Sequence, residues 1–303
     1  MHRRDNNSTR RRFMGAVAGL GAAGAMVRRA SAVLPTQIKI PKWEHLGSRI
    51  IDAHTHFYSD TNKEEWLQAT SYCDKTIVFG DGDVVKALCD EVPDRLIFFA
   101  WIHFNQPNSM EEIERVHQDL GAKGFKIGPG YDDVHPLDHR CRELYSYAQK
   151  HNLPIVTHMA ETPRNSGPLE YQRPIHADQI ACDYPDLKLY MAHLAHPWID
   201  EALCVVRRNN FIYADISALY YRPWQFYHAI KLAVEYSDMT TVQKLFFGTD
   251  YTGGLTSKFV PKTTIEGIRN MNYIVGTQGP EHIPQEIIEN ILHNDTLKIL
   301  EIE

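Results

Sequence analysis

Eight short apolar runs recur between residues 49 and 249, and the stretches separating them have the spacing of amphipathic helices. The runs are Arg49–Phe57, Lys75–Phe79, Arg95–His103, Gly124–Ile127, Leu153–His158, Leu187–His193, Phe211–Ser217 and Lys244–Thr249. Helical patterns lie at Asn108–Leu120, Asp138–His151, Arg173–Tyr184, Trp198–Asn209 and Pro223–Ser237. The first of these opens on Asn108 or Ser109 as a cap, with acidic residues in its first turn. Runs that are apolar throughout are buried on both faces, which requires a parallel sheet covered by helices. Eight strand–helix repeats in about 200 residues predict a closed (β/α)8 TIM barrel over an open doubly wound α/β sheet. The open sheet would also need a GxGxxG turn after its first strand, where this chain has His54-Thr55-His56.

Residues 1–32 do not fit that rhythm. They carry seven Arg against one Asp, and run Thr9-Arg10-Arg11-Arg12-Phe13-Met14, apolar Gly15–Val27, Arg28-Arg29 and Ala30-Ser31-Ala32. These are the n-, h- and c-regions of an export signal, with an apolar run too short to span a bilayer as a helix. The Ser/Thr-Arg-Arg-x-Phe core, the Gly/Ala-rich middle and the basic residues before an A-x-A site resemble a twin-arginine (Tat) signal. A cleavable signal over 1–32 predicts export by the Tat machinery to the periplasm or beyond, a mature chain starting near Val33 and one barrel domain over 33–303. The alternative is a basic tail. The Tat route carries folded proteins, often with the cofactor already inserted.

Beyond residue 32, 25 Lys+Arg face 37 Asp+Glu, a formal charge of −12, so the body is a poor partner for nucleic acid. With 43% hydrophobic and 23% charged residues, the chain is neither disordered nor collagenous nor a polytopic membrane protein, and no stable membrane insertion is expected. Cys73, Cys89, Cys141, Cys182 and Cys204 are odd in number and widely spread, and read mostly as buried thiols. Homo-oligomerisation stays open.

In such a barrel the chemistry is built at the C-terminal strand ends. The first run ends Asp52-Ala53-His54-Thr55-His56, the fourth in Lys126-Ile127, the fifth in Thr157-His158, the sixth in Ala192-His193 and the eighth in Thr249-Asp250. Two residues apart on one strand, His54 and His56 point to the same side. A His-x-His pair alone is weak, because 16 His in this chain give about one such pair by chance. Position strengthens it: imidazoles close runs one, five and six, and a carboxylate closes run eight. Three neutral imidazoles and a carboxylate suit Zn2+ or a similar divalent ion with one position left open.

Taken together, Ile51-Asp-Ala-His-Thr-His-Phe57, Lys123-Gly-Phe-Lys-Ile127, Leu153-Pro-Ile-Val-Thr-His158, Tyr184-Pro-Asp-Leu-Lys188, Met191-Ala-His-Leu-Ala-His-Pro-Trp198, Tyr213-Ala-Asp-Ile-Ser217 and Lys244-Leu-Phe-Phe-Gly-Thr-Asp250 resemble the amidohydrolase superfamily. The likeness is to its amidohydrolase-related (amidohydrolase 2) branch, which includes decarboxylases such as aminocarboxymuconate-semialdehyde decarboxylase. It implies that His54, His56, His158 and Asp250 bind one divalent metal, Zn2+ foremost. It also implies that His193 is the catalytic histidine and that Asp250 doubles as the base taking a proton from water. Lys126 would be a free ammonium binding a substrate carboxylate or, as in binuclear members, carboxylated to bridge two metals with His158 and His193 on the second.

Other residues carry lesser expectations. Asp215 reads as a hydrogen-bonding scaffold, and His196 and Trp198 as fixing the loop after run six. Tyr131, Glu161 and Trp224 lie on loops expected to face the mouth. His103, His117, His135, His139, His151, His176, His228, His282 and His293 read as structural or solvated, with His103 set apart because it ends run three. The first function expected is a metal-dependent hydrolase of an amide, lactone or ester in a small molecule, with His193 steadying the oxyanion. The alternative is a metal-dependent decarboxylase, with Lys126, Arg164, Arg173 or Arg222 anchoring a carboxylate. A non-catalytic ligand- or metal-binding barrel is disfavoured, because a barrel that had lost its function would not be expected to keep all the polar residues at the ends of runs one, five, six and eight.

Overall fold

The computed structural model describes residues 42–302 apart from 108, 163–166, 236–239 and 255–256. The expected signal over 1–32 lies outside the described residues, as do Asn108, Arg164 and Ser237. Eight strands form: β1 Ile51–His56, β2 Lys75–Gly80, β3 Leu96–Ile102, β4 Phe125–Ile127, β5 Ile155–Thr157, β6 Leu189–Met191, β7 Ile212–Asp215 and β8 Leu245–Phe246. The helices between them are α1 Lys63–Thr70, α2 Gly82–Glu91, α3 Ser109–Gln118, the short α4 Pro129–Asp132, α5 His139–Lys150, α6 Ile175–Asp183 and α7 Ile199–Arg208. They are followed by α8 Pro223–Glu235, α9 Pro261–Arg269, α10 Met271–Val275, α11 Gln285–Leu292 and α12 Thr296–Leu300. Side-chain caps start several helices; Asp81 accepts from the N–H groups of Asp83 and Val84, and Asp138 from that of Arg140.

The strands lie in sequence order and every neighbouring pair is parallel. Backbone bonds across the remaining seam bring the ends together: Ala53 N–H to Phe247 O at 2.9 Å, Asp250 N–H to His54 O at 2.7 Å and His56 N–H to Tyr251 O at 2.8 Å. Burial follows the two faces of this sheet. Ile51, Ile77, Phe79, Phe99, Val156, Tyr190, Tyr213 and Phe246 form one cluster inside the barrel, while Val78, Phe98, Phe125, Ile127, Ile155, Leu189 and Ile212 pack outward beneath the helices. Each such fully buried side chain stabilises the fold by about 1.5–3 kcal/mol.

The N-terminal end of the barrel is closed by α12, whose Leu297, Ile299 and Leu300 join the interior cluster. Polar ties hold it there: Asp295 accepts from Arg49 Nη2 at 2.8 Å, and Lys188 Nζ donates to Leu300 O at 3.1 Å and to Glu301 Oε2 at 2.6 Å. Among the described residues, no helix is long and apolar enough to cross a membrane. All five Cys are free; Cys73, Cys89 and Cys141 are buried, and Cys182 and Cys204 are exposed.

Six of the strands end one to three residues before their apolar runs, and in two of these the backbone beyond the strand bears on the site. β6 stops at Met191 because His193, Leu194 and Ala195 turn into the left-handed region, at φ 57°, 45° and 50°. β8 stops at Phe246, and Asp250 likewise sits at φ 66°. His193 and Asp250 therefore do not close strands, as their hydropathy suggested. They sit on turns beyond the strand ends, in a conformation that non-glycine residues rarely adopt and that clusters at functional sites.

Candidate metal centre

Asp52 on β1 and Asp215 on β7, two buried carboxylates with β8 between their strands, set the geometry. Asp52 accepts from Thr249 N at 3.0 Å, Thr249 Oγ1 at 2.6 Å and His54 N at 3.1 Å, which locks the end of β1 to the turn carrying Asp250. Burial pushes the Asp52 carboxyl up to about 7, against the Thr249 and His54 hydrogen bonds that favour the anion. Asp215, at the end of β7, accepts from His54 Nδ1 at 2.7 Å and from the backbone N–H of His193 at 3.0 Å. A carboxylate only accepts, so the His54 proton lies on Nδ1 and its Nε2 lone pair faces the lumen.

That lone pair has company. His54 Nε2 lies 3.3 Å from His56 Nε2, and Asp250 Oδ1 lies 3.5 Å and 3.4 Å from the two nitrogens. These are the edge lengths of a tetrahedral shell with metal–ligand bonds of roughly 2.1 Å. Burial holds the pKa of both imidazoles below its usual value, so they are neutral donors. Burial alone would raise the Asp250 carboxyl, but His193, His56 and His54 overcome it and keep it well below the usual carboxylate range. The Nδ1 of His56 is buried with no partner. Two neutral imidazoles and a carboxylate oxygen converging at these distances fit a divalent cation.

Lys126, fully buried on β4, places Nζ 3.3 Å from His54 Nε2 and 5.0 Å from the Phe79 ring centroid. Among the described residues it has no carboxylate partner, and burial pushes its amine down to about 8. His158 follows β5. Its Nε2 lies 3.3 Å from Tyr131 Oη, its Nδ1 is buried without a partner, and its ring centroid is 5.1 Å from that of His193. The structure thus brings His54, His56 and Asp250 into one group and sets His158 beside it, against Tyr131 and His193.

His193 is oriented by Ser217. The Ser217 hydroxyl gives its proton to Asp215, so at 2.7 Å it must accept from His193 Nδ1. That leaves Nε2 of the His193 ring directed away from Ser217. The ring centroid lies 4.8 Å from that of His54, and His193 lines a cavity of about 390 Å3 with Tyr131, His158, Glu161, His196, Tyr221, Arg222, Asp250 and Phe259.

The other expected residues fall on both sides of that cavity wall. His196 Nε2 is bonded to Gln225 Oε1 at 2.9 Å, and Trp198 stacks with Arg173, whose Nε donates to Glu201 at 3.3 Å outside the cavity. Trp224 is 65% exposed at the start of α8 and does not line the cavity. His103 is tied to Asp132 at 3.1 Å and stacks on Trp101. His135, Glu170 and His176 make a second cluster, but Leu137 N–H occupies His135 Nδ1 and His176 Nε2 donates to Glu170, which describes a hydrogen-bonded group. Sequence reasoning gave no role to Asp52 or Ser217. Their signal was a polar residue inside an apolar run, where burial demands a partner.

Residues 76–255 match a family model described as amidohydrolase. Among solved structures, the fold resembles a probable 2-pyrone-4,6-dicarboxylic acid hydrolase from Acinetobacter baumannii at 12% identity and TM-score 0.58, covering 84% of this chain and 99% of that one. It also resembles a dihydroxybenzoic acid decarboxylase from Polaromonas sp. JS666 with bound manganese, at 13% identity and TM-score 0.57, covering 84% and 97%. A third is a 5-carboxyvanillate decarboxylase from Sphingomonas paucimobilis, at 11% identity and TM-score 0.57, covering 85% and 100%. A search of curated proteins returned no match.

Proposed function

This chain belongs to the amidohydrolase family, and from that premise we propose that it is a metal-dependent decarboxylase, a carbon–carbon lyase releasing CO2 from a small carboxylic acid. The reading rests on Arg222. It lines the same cavity as His193 and Asp250, its guanidinium lies 4.6 Å from the Tyr221 ring, and no carboxylate among the described residues pairs with it. An unpaired guanidinium there suits a substrate that carries a carboxylate, the group a decarboxylase releases. Two of the named structural neighbours are decarboxylases, which supports the same choice.

His54, His56 and Asp250 would hold the ion, with His158 as the fourth residue of the set. A divalent ion there, Zn2+ or the Mn2+ seen in one neighbour, supplies concentrated positive charge for substrate oxygens. Arg222 anchors the departing carboxylate. As its bond to carbon breaks, the electron pair stays on that carbon and CO2 leaves; His193, steadied by Ser217 and the Asp215 bond to its backbone, takes one proton from solvent at Nε2 and passes it to the same carbon. Tyr131, Tyr221 and Phe259 give the cavity aromatic walls.

Hydrolysis stands as the second reading because Asp250, kept ionised beside the donor group, is also placed to take a proton from water. Incubating metal-loaded protein with hydroxybenzoates, lactones and N-acyl compounds separates the two. CO2 release, with a raised KM in Arg222→Met, supports the lyase; turnover of lactones or N-acyl compounds alone overturns it. We further propose that residues 1–32 direct export by the Tat route to the periplasm or beyond.

A further inference from the structure

We propose a second ligand site, for an amphipathic monoanion of the medium-chain carboxylate class, at the N-terminal end of the barrel. A cavity of about 420 Å3 opens there, within the range of small-molecule sites. Its lining comes from the first residues of β2 and β3 and from the segments leading into β1 and β4, the opposite end of the strands from His54 and His56. The floor is apolar: Leu96, Phe98 and Leu297 are nearly buried, and Leu120 and Ile302 are half-buried beside them.

The rim has the opposite character. Arg49, Lys75, Lys86 and Lys123 face one carboxylate, Asp90, in a chain where acidic residues outnumber basic ones. Three of these cations already have work. Lys86 pairs with Asp90, Arg49 pairs with Asp295, and Lys75 donates to the Asp94 carbonyl near the C-terminal end of α2, where cations are favoured by the helix dipole. The fourth, Lys123, is exposed, and its ammonium has no hydrogen-bond or ion-pair partner among the described residues. An apolar floor under an unpaired ammonium suits an alkyl chain ending in a carboxylate, with the chain on Leu96, Phe98 and Leu120 and the head group at Lys123. Because Leu297 and Ile302 belong to the segment closing the barrel, such a ligand would also brace α12.

Decanoate, below its micellar concentration, is the probe. Calorimetric titration into metal-loaded protein should show one saturable site, with Tm rising as it fills. Lys123→Glu should weaken binding by about tenfold or more, Lys123→Gln by less, and both should leave metal content unchanged. Acetate and decanol, carrying head group or tail alone, should bind far more weakly. Arg222→Met guards against decanoate entering the metal cavity and should bind it normally. Absence of binding, indifference to Lys123→Glu, or loss of binding in Arg222→Met would each overturn the proposal.

Discussion

At the residue scale, Asp215 does most to organise the centre, since one carboxylate fixes the His54 tautomer and the His193 backbone together. Asp215→Asn should therefore lower metal affinity by roughly 10–100-fold, the usual worth of a residue that orients a metal ligand. His54→Ala and Asp250→Ala should each remove most of about one ion per chain, read by elemental analysis; two ions in the wild type would favour a carboxylated Lys126 instead. His193 separates catalyst from ligand. Because it sits at φ 57°, Asn, which tolerates that region, is the suitable replacement. His193→Asn should keep metal and Tm while kcat falls about 10²–10⁴-fold, and a near-normal kcat at full metal occupancy would remove its catalytic role.

The thiols offer a separate residue-scale test. Burial pushes Cys89 from its ordinary value up to about 12, so the folded chain keeps its proton where the unfolded chain releases it. Above pH 9 the unfolded state binds fewer protons, and stability falls as pH rises from about 9 towards 12. Near pH 8, a thiol reagent should label Cys182 and Cys204 quickly and the three buried thiols only on unfolding; fast labelling of all five would contradict the burial.

At the element scale, helices were legible because one apolar stripe repeats every turn: α5 fills all but the ends of its expected range, and α7 does the same. Strand ends were less legible. Hydropathy carries on through Ala192, Leu194 and Ala195, all buried, although the backbone has left the strand at Met191. Apolar character reports burial, and a tight turn packed under helices is as buried as a strand. The closing helix α12 shows the same limit from the other side, being too short to announce itself by period. Leu300→Ala should cost about 2–5 kcal/mol in denaturant unfolding while leaving metal content intact, because it empties the barrel floor far from the centre. A loss of metal in parallel would mean that the floor also supports the centre.

At the scale of the whole molecule, the export proposal depends on residues 1–32 and is tested in the cell. Arg10, Arg11 and Arg12 overlap, so either adjacent pair can serve, and changing all three to Lys preserves charge while removing the recognised side chains. Precursor should then accumulate inside the cell, whereas the native chain should mature with Val33 at its N-terminus. An intact Met1 on protein from the native host would overturn the proposal. Sequence by itself determined the barrel, since eight buried runs alternating with amphipathic stretches leave few other ways to cover both faces of a parallel sheet. It also placed His54 and His56 on one face, because strand periodicity is local. Only the tertiary structure decided that Asp52, Asp215 and Ser217 hold the centre in register, that Arg222 faces the cavity while Arg173 is spent on Glu201, and that His193 and Asp250 stand on left-handed turns. Those facts depend on which side chains from distant strands meet, and contact across the barrel leaves no period in the chain.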